Sequence, residues 1–244
     1  MLFTSRIVCL LLFACPTFAG AINTDAAMAV GKGTIVSRTI VRVDDVDSSL
    51  SRDIDRYLAR QTVAVGASEK LTLFGSLGHV WNEPGPDGFT DLKLFGRYEF
   101  YGRDAKRETL SFAALLGVEV PLGNRPIGGG DGGVVAGLVG TWYRNIWQID
   151  SDIEYTHRPD RGDVVRADLA GSVAFHESET LQLVAVLELN FRRVGSIDAL
   201  YLAPGLQVQF TRYLLEFSVP IRVAENSDRP TTRIAAVVGI RFIF

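Results

Sequence analysis

The sequence predicts an all-β protein: a transmembrane antiparallel up-and-down β-barrel of about twelve strands. Hydrophobic residues make up 47% of the 244 residues. Beyond the N-terminal segment, however, no apolar run approaches the roughly 20 residues that a membrane helix needs. In several segments apolar and polar residues instead alternate with the two-residue period of a strand. A barrel accounts for both observations, because it pairs its backbone polar groups internally and turns only every second side chain toward lipid.

The N-terminus, residues 1–19, has the features of a signal peptide. Arg6 supplies the positive charge, residues 7–14 are apolar, and small residues precede a cleavage point after Ala19. We expect export, a flexible periplasmic lead-in at residues 20–32, and one outer-membrane barrel domain over residues 20–244 of a Gram-negative protein. A lipoprotein modified at Cys15 is the alternative, which Phe13 disfavours.

Alternation is clearest at residues 90–101, 147–155, 181–191 and 213–223. In the first of these, Leu94 and Tyr98 share one face while Lys93 and Arg97 share the other. A helix would scatter these charges around its circumference. Weaker alternation predicts the remaining strands: residues 34–43, 57–67, 71–81, 109–120, 134–143, 164–175, 200–210 and the C-terminal 237–244.

The connections between these strands alternate in length along the chain. The short ones are residues 68–70, 102–107, 144–145, 176–179 and 211–212. The mostly longer ones are residues 44–56, 82–88, 121–133, 157–163, 192–198 and 224–232. Short periplasmic turns opposite longer outer loops are typical of a bacterial barrel with both termini in the periplasm.

Aromatic residues cluster where the two membrane interfaces are expected. Those near the short turns are Tyr98, Phe100, Tyr101, Trp142, Tyr143, Trp147 and Tyr213, and those near the longer loops are Trp81 and Tyr155. Aromatic packing in a soluble core is the alternative interpretation.

The C-terminal strand ends in a terminal aromatic residue, with Val238, Ile240, Phe242 and Phe244 on one face. It resembles the final strand of outer-membrane barrels, which the barrel-assembly machinery reads. The resemblance implies that these four residues form an assembly signal; an ordinary C-terminal core strand is the alternative.

The composition bounds the chemistry. The 25 Lys and Arg residues nearly balance 28 Asp and Glu residues, so no basic field indicates a nucleic-acid partner. Both cysteines, Cys9 and Cys15, fall in the signal peptide, which excludes disulfides and thiol catalysis in the exported chain. No histidine pair has metal-ligand spacing, so we expect no metal and no cofactor.

Three motifs have weak functional interpretations. His176 and Ser178 have the spacing that resembles outer-membrane phospholipases, but they fall in a predicted turn, and we expect no enzyme. Residues 128–133 match GxGxxG without a Rossmann-type strand and helix, which favours a flexible loop. The acidic loop at residues 44–55 could bind divalent ions beside lipopolysaccharide, although a solvated loop is the simpler interpretation.

The predicted lumen carries charges of both signs, which must be paired or hydrated. They either close the lumen as an ion-pair network or line a wet path for a polar or small amphipathic solute. Asp150, Asp152 and Glu154 form the most one-signed patch. The predicted lining residues are Asp91, Lys93, Arg97, Glu99, Asp150, Asp152, Glu154, Arg166, Asp168 and Arg222, together with Glu216, Arg233 and Arg241.

Three segments, residues 66–73, 88–98 and 116–123, resemble the outer-membrane barrels labelled "MetA-pathway of phenol degradation". Residues 121–123 depart from the family, with Pro-Leu-Gly where Pro-Thr-Gly is common. The resemblance implies a transporter-like barrel. The sequence thus favours a passive channel or transporter for small molecules, hydrophobic or aromatic ones among them. A structural barrel with a plugged lumen and an outer-membrane lipase are the alternatives.

Overall fold

The computed structural model describes residue 22 and residues 26–47, 54–106, 108–123, 127–128, 130, 132–160, 162–226 and 231–244. The predicted signal peptide lies outside these residues. No helix in the described part of the chain is long and apolar enough to cross a membrane. The strands are β1 (Ile35–Asp47), β2 (Ile54–Gly66), β3 (Leu71–Glu83), β4 (Gly88–Phe89), β5 (Leu92–Ala105), β6 (Glu108–Val120), β7 (Gly133–Arg144), β8 (Trp147–His157), β9 (Val164–Glu177), β10 (Leu181–Val194), β11 (Ile197–Phe210), β12 (Tyr213–Ser218), β13 (Ile221–Glu225) and β14 (Thr231–Ile243).

These strands form one closed antiparallel barrel. Apart from the split pairs β4–β5 and β12–β13, each pairs with its neighbour along the chain, and β1 pairs with β14 from Val36 opposite Ile243 onward, which closes the sheet. The segments β4 and β5 are two parts of one strand, and Pro220 lies in the break between β12 and β13, where it could not donate to a ladder. The barrel therefore has twelve strands, and the predicted fold is confirmed. Closure removes the exposed edges that an open sheet would present.

The barrel is apolar outside and polar inside. Leu116 and Leu138 on the outer surface are 67% and 56% exposed, whereas Glu188 and Glu216 on the inner surface are fully buried. This distribution is the reverse of that in a water-soluble protein, where large exposed apolar surfaces are rare. It follows the predicted alternation, since successive side chains of a strand point to opposite faces.

The two ends of the barrel differ. One, here the turn end, carries the connections 67–70, 106–107, 145–146, 178–180 and 211–212; the other, the loop end, carries the rest. One expected long loop, residues 192–198, is instead a two-residue turn at Gly195 and Ser196, with Gly195 at a φ of 59°. Arg193 and Asp198 stand opposite each other there, with Nη2 and Oδ2 2.8 Å apart, and this pair holds the strands together up to the turn.

Most of the predicted girdle aromatics lie on the outer surface, among them Trp81, Tyr98 and Trp147. A bulge after Glu99 brings both Phe100 and Tyr101 outward. Tyr143 is an exception: it follows the outward Trp142 along β7 and therefore points inward, where it lines a recess near the turn end. The prediction of Tyr143 as a girdle residue was wrong.

Candidate functional site

The interior of the barrel at the turn end is filled by the chain itself. The lead-in segment, residues 26–34, lies inside the lumen, with Ala27 fully buried and Val30 only 5% exposed. The sequence predicts a flexible lead-in over residues 20–32, and its described part is instead packed against the inner wall. No local signal indicates this, because each of its partners is distant in sequence.

The backbone of the lead-in segment is tied to inward side chains of the wall. Such bonds satisfy peptide groups that would otherwise be buried without partners. Ala27 N–H donates to Thr141 Oγ1 (2.8 Å), Ala29 N–H to Glu99 Oε2 (3.1 Å) and Val30 N–H to Thr72 Oγ1 (2.9 Å), while Arg97 Nη2 donates to the Met28 carbonyl (2.9 Å). Glu99 and Arg97, predicted as lumen-lining residues, thus both hold this segment.

Apolar contacts reinforce these bonds. Val30 packs with Val36 and Ala64, and the partly buried side chains of Phe74 and Ile243 pack against this group. A second group joins Ala27 of the lead-in segment to two wall residues, Ala113 and Val139.

The wall is shaped for this close approach at Gly66. A Cβ atom there would overlap the Gly31 carbonyl oxygen, and the two segments exchange backbone hydrogen bonds, from Gly33 N–H to the Gly66 carbonyl at 2.9 Å. Any larger residue would force the lead-in segment away from β2.

Asp150 belongs to the same turn-end assembly. Its Oδ1 accepts a hydrogen bond from the Thr141 hydroxyl at 2.7 Å, and its Oδ2 accepts one from Gln148 Nε2 at 2.8 Å. Thr141 Oγ1 in turn accepts from Ala27 N–H, so the carboxylate fixes the hydroxyl that anchors the lead-in segment. Asp150 therefore supports the lead-in segment, although the sequence groups it in one acidic patch with Asp152 and Glu154.

An aromatic pair lies beside the lead-in segment. The rings of Phe74 and Phe95 stack with centroids 4.7 Å apart, and the Arg97 guanidinium lies 4.8 Å from the Phe74 centroid. Both rings are on inward positions of β3 and β5. This is a cation–π contact of the kind that desolvation strengthens.

Asp152, Glu154, Arg166 and Asp168 form an ion-pair network on β8 and β9. Arg166 lies 3.3 Å from Asp152, 3.6 Å from Glu154 and 3.1 Å from Asp168. Asp152 and Asp168 stand directly opposite each other in the register, so the shared guanidinium offsets their mutual repulsion.

Lys93 extends this network to β6 and to the loop end. Its Nζ lies 3.7 Å from Glu154 and 3.1 Å from Glu119. Glu119 also accepts two bonds from Arg158, at 2.5 and 2.8 Å. Arg158 follows the end of β8, and this bidentate pairing raises the pKa of its guanidinium.

A second network surrounds Glu216. This fully buried carboxylate lies 2.7 Å from Arg38 and 2.6 Å from Arg241, which come from β1 and β14. It therefore ties together the strands on either side of the barrel closure. Arg38 also donates to the Ile22 carbonyl, so the network touches the N-terminal residues as well.

Three further predicted residues lie toward the loop end. Arg222 pairs with Glu225 at 2.7 Å and Arg233 pairs with Asp45 at 2.6 Å. Asp91 lies half-buried between β4 and β5.

Sequence reasoning missed a group of interior arginines, here called the arginine cluster: Arg42, Arg56, Arg60 and Arg192. Arg60 and Arg192 occupy inward positions of β2 and β10 yet remain exposed. Arg60 lies within electrostatic range of Arg42 and Arg192. A side chain that points inward and still contacts solvent indicates space for water in this part of the lumen. A signal for three of them exists in the sequence. Arg42 on β1 and Arg56 and Arg60 on β2 fall on the inward positions given by the two-residue period of a strand.

The β8–β9 connection is fixed by hydrogen bonds to Asp163, which accepts one from the Tyr155 hydroxyl at 2.6 Å and lies 2.8 Å from His157 Nδ1. These bonds lower the pKa of the Asp163 carboxyl. All three groups are exposed, and such contacts contribute little to stability.

Two other possible sites have no matching geometry. The Ser178 hydroxyl bonds the Leu181 backbone at 3.2 Å in the exposed β9–β10 turn, where it serves the turn itself. Within the described ranges, no group of three or more His, Cys, Asp or Glu side chains could hold a metal ion. An apolar depression of about 540 Å³ lies on the wall around Leu94 and Leu116, whose side chains point outward and away from the lumen.

Comparison with solved structures identifies the fold. No family model and no curated protein matches the chain. An outer-membrane channel from Pseudomonas putida F1 is similar over 92% of this chain and 100% of its own, with a TM-score of 0.68 and 12% identity. The NanC porin covers 84% and 98% (TM-score 0.55, 11% identity), and the beta domain of the Bordetella autotransporter BrkA covers 87% and 100% (0.51, 16%).

The chain has the outer-membrane β-barrel fold. At these identities the likeness concerns the fold, and the residues of the lumen must be judged on their own chemistry. The resemblance to the phenol-degradation family stays a prediction, since no family model supports it.

Proposed function

We propose that this protein is a passive channel for small solutes in the outer membrane of a Gram-negative bacterium. The single observation that carries the proposal is the combination of an apolar outer surface with a charged, solvent-accessible interior. A fully packed interior would leave no inward side chain exposed, whereas Arg60 and Arg192 are exposed at inward positions. Twelve strands also lie between filled eight-stranded barrels and open porins.

The proposed path is asymmetric. Toward the loop end it runs past Arg60 and Arg192, which retain contact with water. Toward the turn end the lead-in segment, anchored at Thr72 and Thr141, narrows it. Solutes would pass beside this segment or when it shifts, so we expect a small conductance.

The chemistry of the lining bears on the solute. The interior charges favour polar or amphipathic molecules over purely hydrophobic ones. The stacked Phe74 and Phe95, with Arg97 alongside, provide an inward aromatic surface that suits a small aromatic solute carrying a polar group. We keep aromatic solutes within the proposal on this ground.

A structural barrel with a plugged lumen, presenting its loops to a partner, is the second candidate. The observations that favour it are the lead-in segment inside the lumen and the Arg166 and Glu216 networks, which cross-link the wall. The two candidates differ in one property, the passage of ions through the folded barrel.

Single-channel conductance of the refolded protein in a planar bilayer separates them. For a channel we expect discrete steps of current. A refolded barrel that stays silent, both intact and without residues 20–32, would contradict the channel proposal and favour the structural barrel.

We also propose that Val238, Ile240, Phe242 and Phe244 form a signal for the barrel-assembly machinery. The first, third and fourth are exposed on the outer surface, and Phe244 is 73% exposed. Its backbone pairs with Ile35 at the closure, with N–H to carbonyl at 2.9 Å, so its ring is free for recognition while its backbone completes the barrel.

Removing the Phe244 ring tests this. Phe244→Ala should strongly reduce the folded protein in cell outer membranes while leaving refolding from urea into detergent unchanged. Leu116→Ala, an equally outward site, is the matched control. Equal loss for both variants would show a general effect of surface apolarity.

A further inference from the structure

We propose that the arginine cluster is a binding site for small multivalent anions, of the phosphate, sulfate or polycarboxylate class, within the lumen. The proposal deepens the channel function and rests on it only for the transport of such anions; binding itself can be tested separately. The site centres on Arg60 of β2 and Arg192 of β10, with Arg42 and Arg56 beside them.

The two central arginines come from strands that are not neighbours in the sheet, and both occupy inward positions of the wall. Arg60 lies within electrostatic range of Arg38, Arg42, Arg166 and Arg192. Arg192 in turn lies within range of Arg42, Arg56 and Arg158. Arg42 is a neighbour of both central arginines, so positive charge is concentrated in this part of the lumen.

The central arginines differ from three other interior arginines, Arg38, Arg42 and Arg166, in lacking an acidic partner. Arg38, Arg42 and Arg166 each have a carboxylate within 3.3 Å. Among the residues that the structure describes, no carboxylate forms an ion pair with Arg60 or Arg192. Both side chains are exposed at their inward positions.

The carboxylates of β6, β8 and β9 do not cancel this charge. Glu119, Asp152, Glu154 and Asp168 are already engaged by Lys93, Arg158 and Arg166. These carboxylates therefore have cationic partners of their own, whereas the arginine cluster carries an excess of positive charge in a confined space, where electrostatic interactions are stronger than in bulk water.

Guanidinium groups suit this role. Their planar donors bind phosphate and carboxylate oxygens in pairs, and arginine-lined pores select anions. Tyr201, half-buried and within electrostatic range of Arg42 and Arg192, places a hydroxyl donor in the same region. An anion with two charged groups could contact arginines from β2 and β10 together.

Calorimetric titration of the refolded protein in detergent with inorganic pyrophosphate tests the site. We expect the wild type to bind, and Arg60→Gln and Arg192→Gln each to bind about tenfold more weakly or worse, as expected for loss of a charge-assisted hydrogen bond. Arg103→Gln makes the same change at an exposed position near the turn end and should not alter the affinity. No binding by the wild type, or equal affinities in all four proteins, would overturn the proposal.

Folding of each variant is checked by its heat-dependent shift on a gel, and Arg60→Lys provides a second variant that keeps the charge. It should bind pyrophosphate with intermediate affinity, because it loses the paired donors and keeps the attraction.

Reversal potentials across a salt gradient separate this proposal from the channel function. A preference for anions that falls in Arg60→Gln supports both. If the barrel conducts but neither prefers anions nor binds pyrophosphate, the anion site alone is contradicted. If the barrel binds pyrophosphate but never conducts, the channel function alone is contradicted.

Discussion

The two halves of the lumen accommodate their inward polar side chains in different ways. Toward the turn end, polar groups of the wall are satisfied by the backbone of the lead-in segment, as at Thr72 and Thr141. Toward the loop end, Arg60 and Arg192 occupy inward positions that remain exposed to solvent. One barrel wall therefore encloses a packed half and a hydrated half.

The difference teaches that strand number alone does not decide whether a barrel conducts. The wall is the same twelve-stranded structure in both halves. What changes is whether peptide groups of the lead-in segment, or other side chains and solvent, contact the inward side chains. The packed half should limit the flow of solute and the hydrated half should select which solutes enter.

The largest expected effect comes from removing the packed half. Deleting residues 20–32 exposes the inward groups at Thr72, Glu99 and Thr141 to water, because their partners in the lead-in segment are gone. We expect conductance in planar bilayers to rise severalfold. An unchanged conductance would show that the lead-in segment does not narrow the path.

A smaller displacement should follow from Gly66→Ala. Its new Cβ would overlap the Gly31 carbonyl, so the lead-in segment must move while the barrel stays closed. Gly171→Ala is the matched control, since no atom lies within 4 Å of its Cβ position. Amide hydrogen exchange at Ala27 and Val30 should accelerate in the first variant only. Equal protection in both variants would contradict the tight fit at Gly66.

The smallest effect separates two carboxylates that the sequence grouped together. Asp150→Asn weakens the hydrogen bond that orients Thr141, at a cost of about 1–3 kcal/mol, and should loosen the lead-in segment with little change in ion selectivity. Glu154→Gln releases part of the Arg166 and Lys93 charge into the lumen and should shift selectivity toward anions. Reversal potentials and urea midpoints measured on both variants check this. The same reversal potential and the same urea midpoint in both variants would show that the two residues act as one patch.

Local pattern predicted the wall well. Alternation over residues 147–155 places Gln148 and Asp150 inside and Trp147 and Ile149 outside, as observed. Loop lengths were less reliable, since Gly195 and Ser196 alone connect β10 to β11 where a longer loop was expected. The lead-in segment was missed because the bond from Ala27 reaches a residue 114 positions away.

The sequence by itself determined that this chain forms an all-β barrel and, where alternation is regular, which side chains face inward. That information lies in neighbouring residues, because the two-residue period of a strand is a local property. Only the tertiary structure decided which inward charges find partners. Arg38 meets Glu216 from 178 positions away, while Arg60 and Arg192 meet no carboxylate among the described residues. Closure and register bring such distant groups together or keep them apart, and no pattern within a single strand records that outcome.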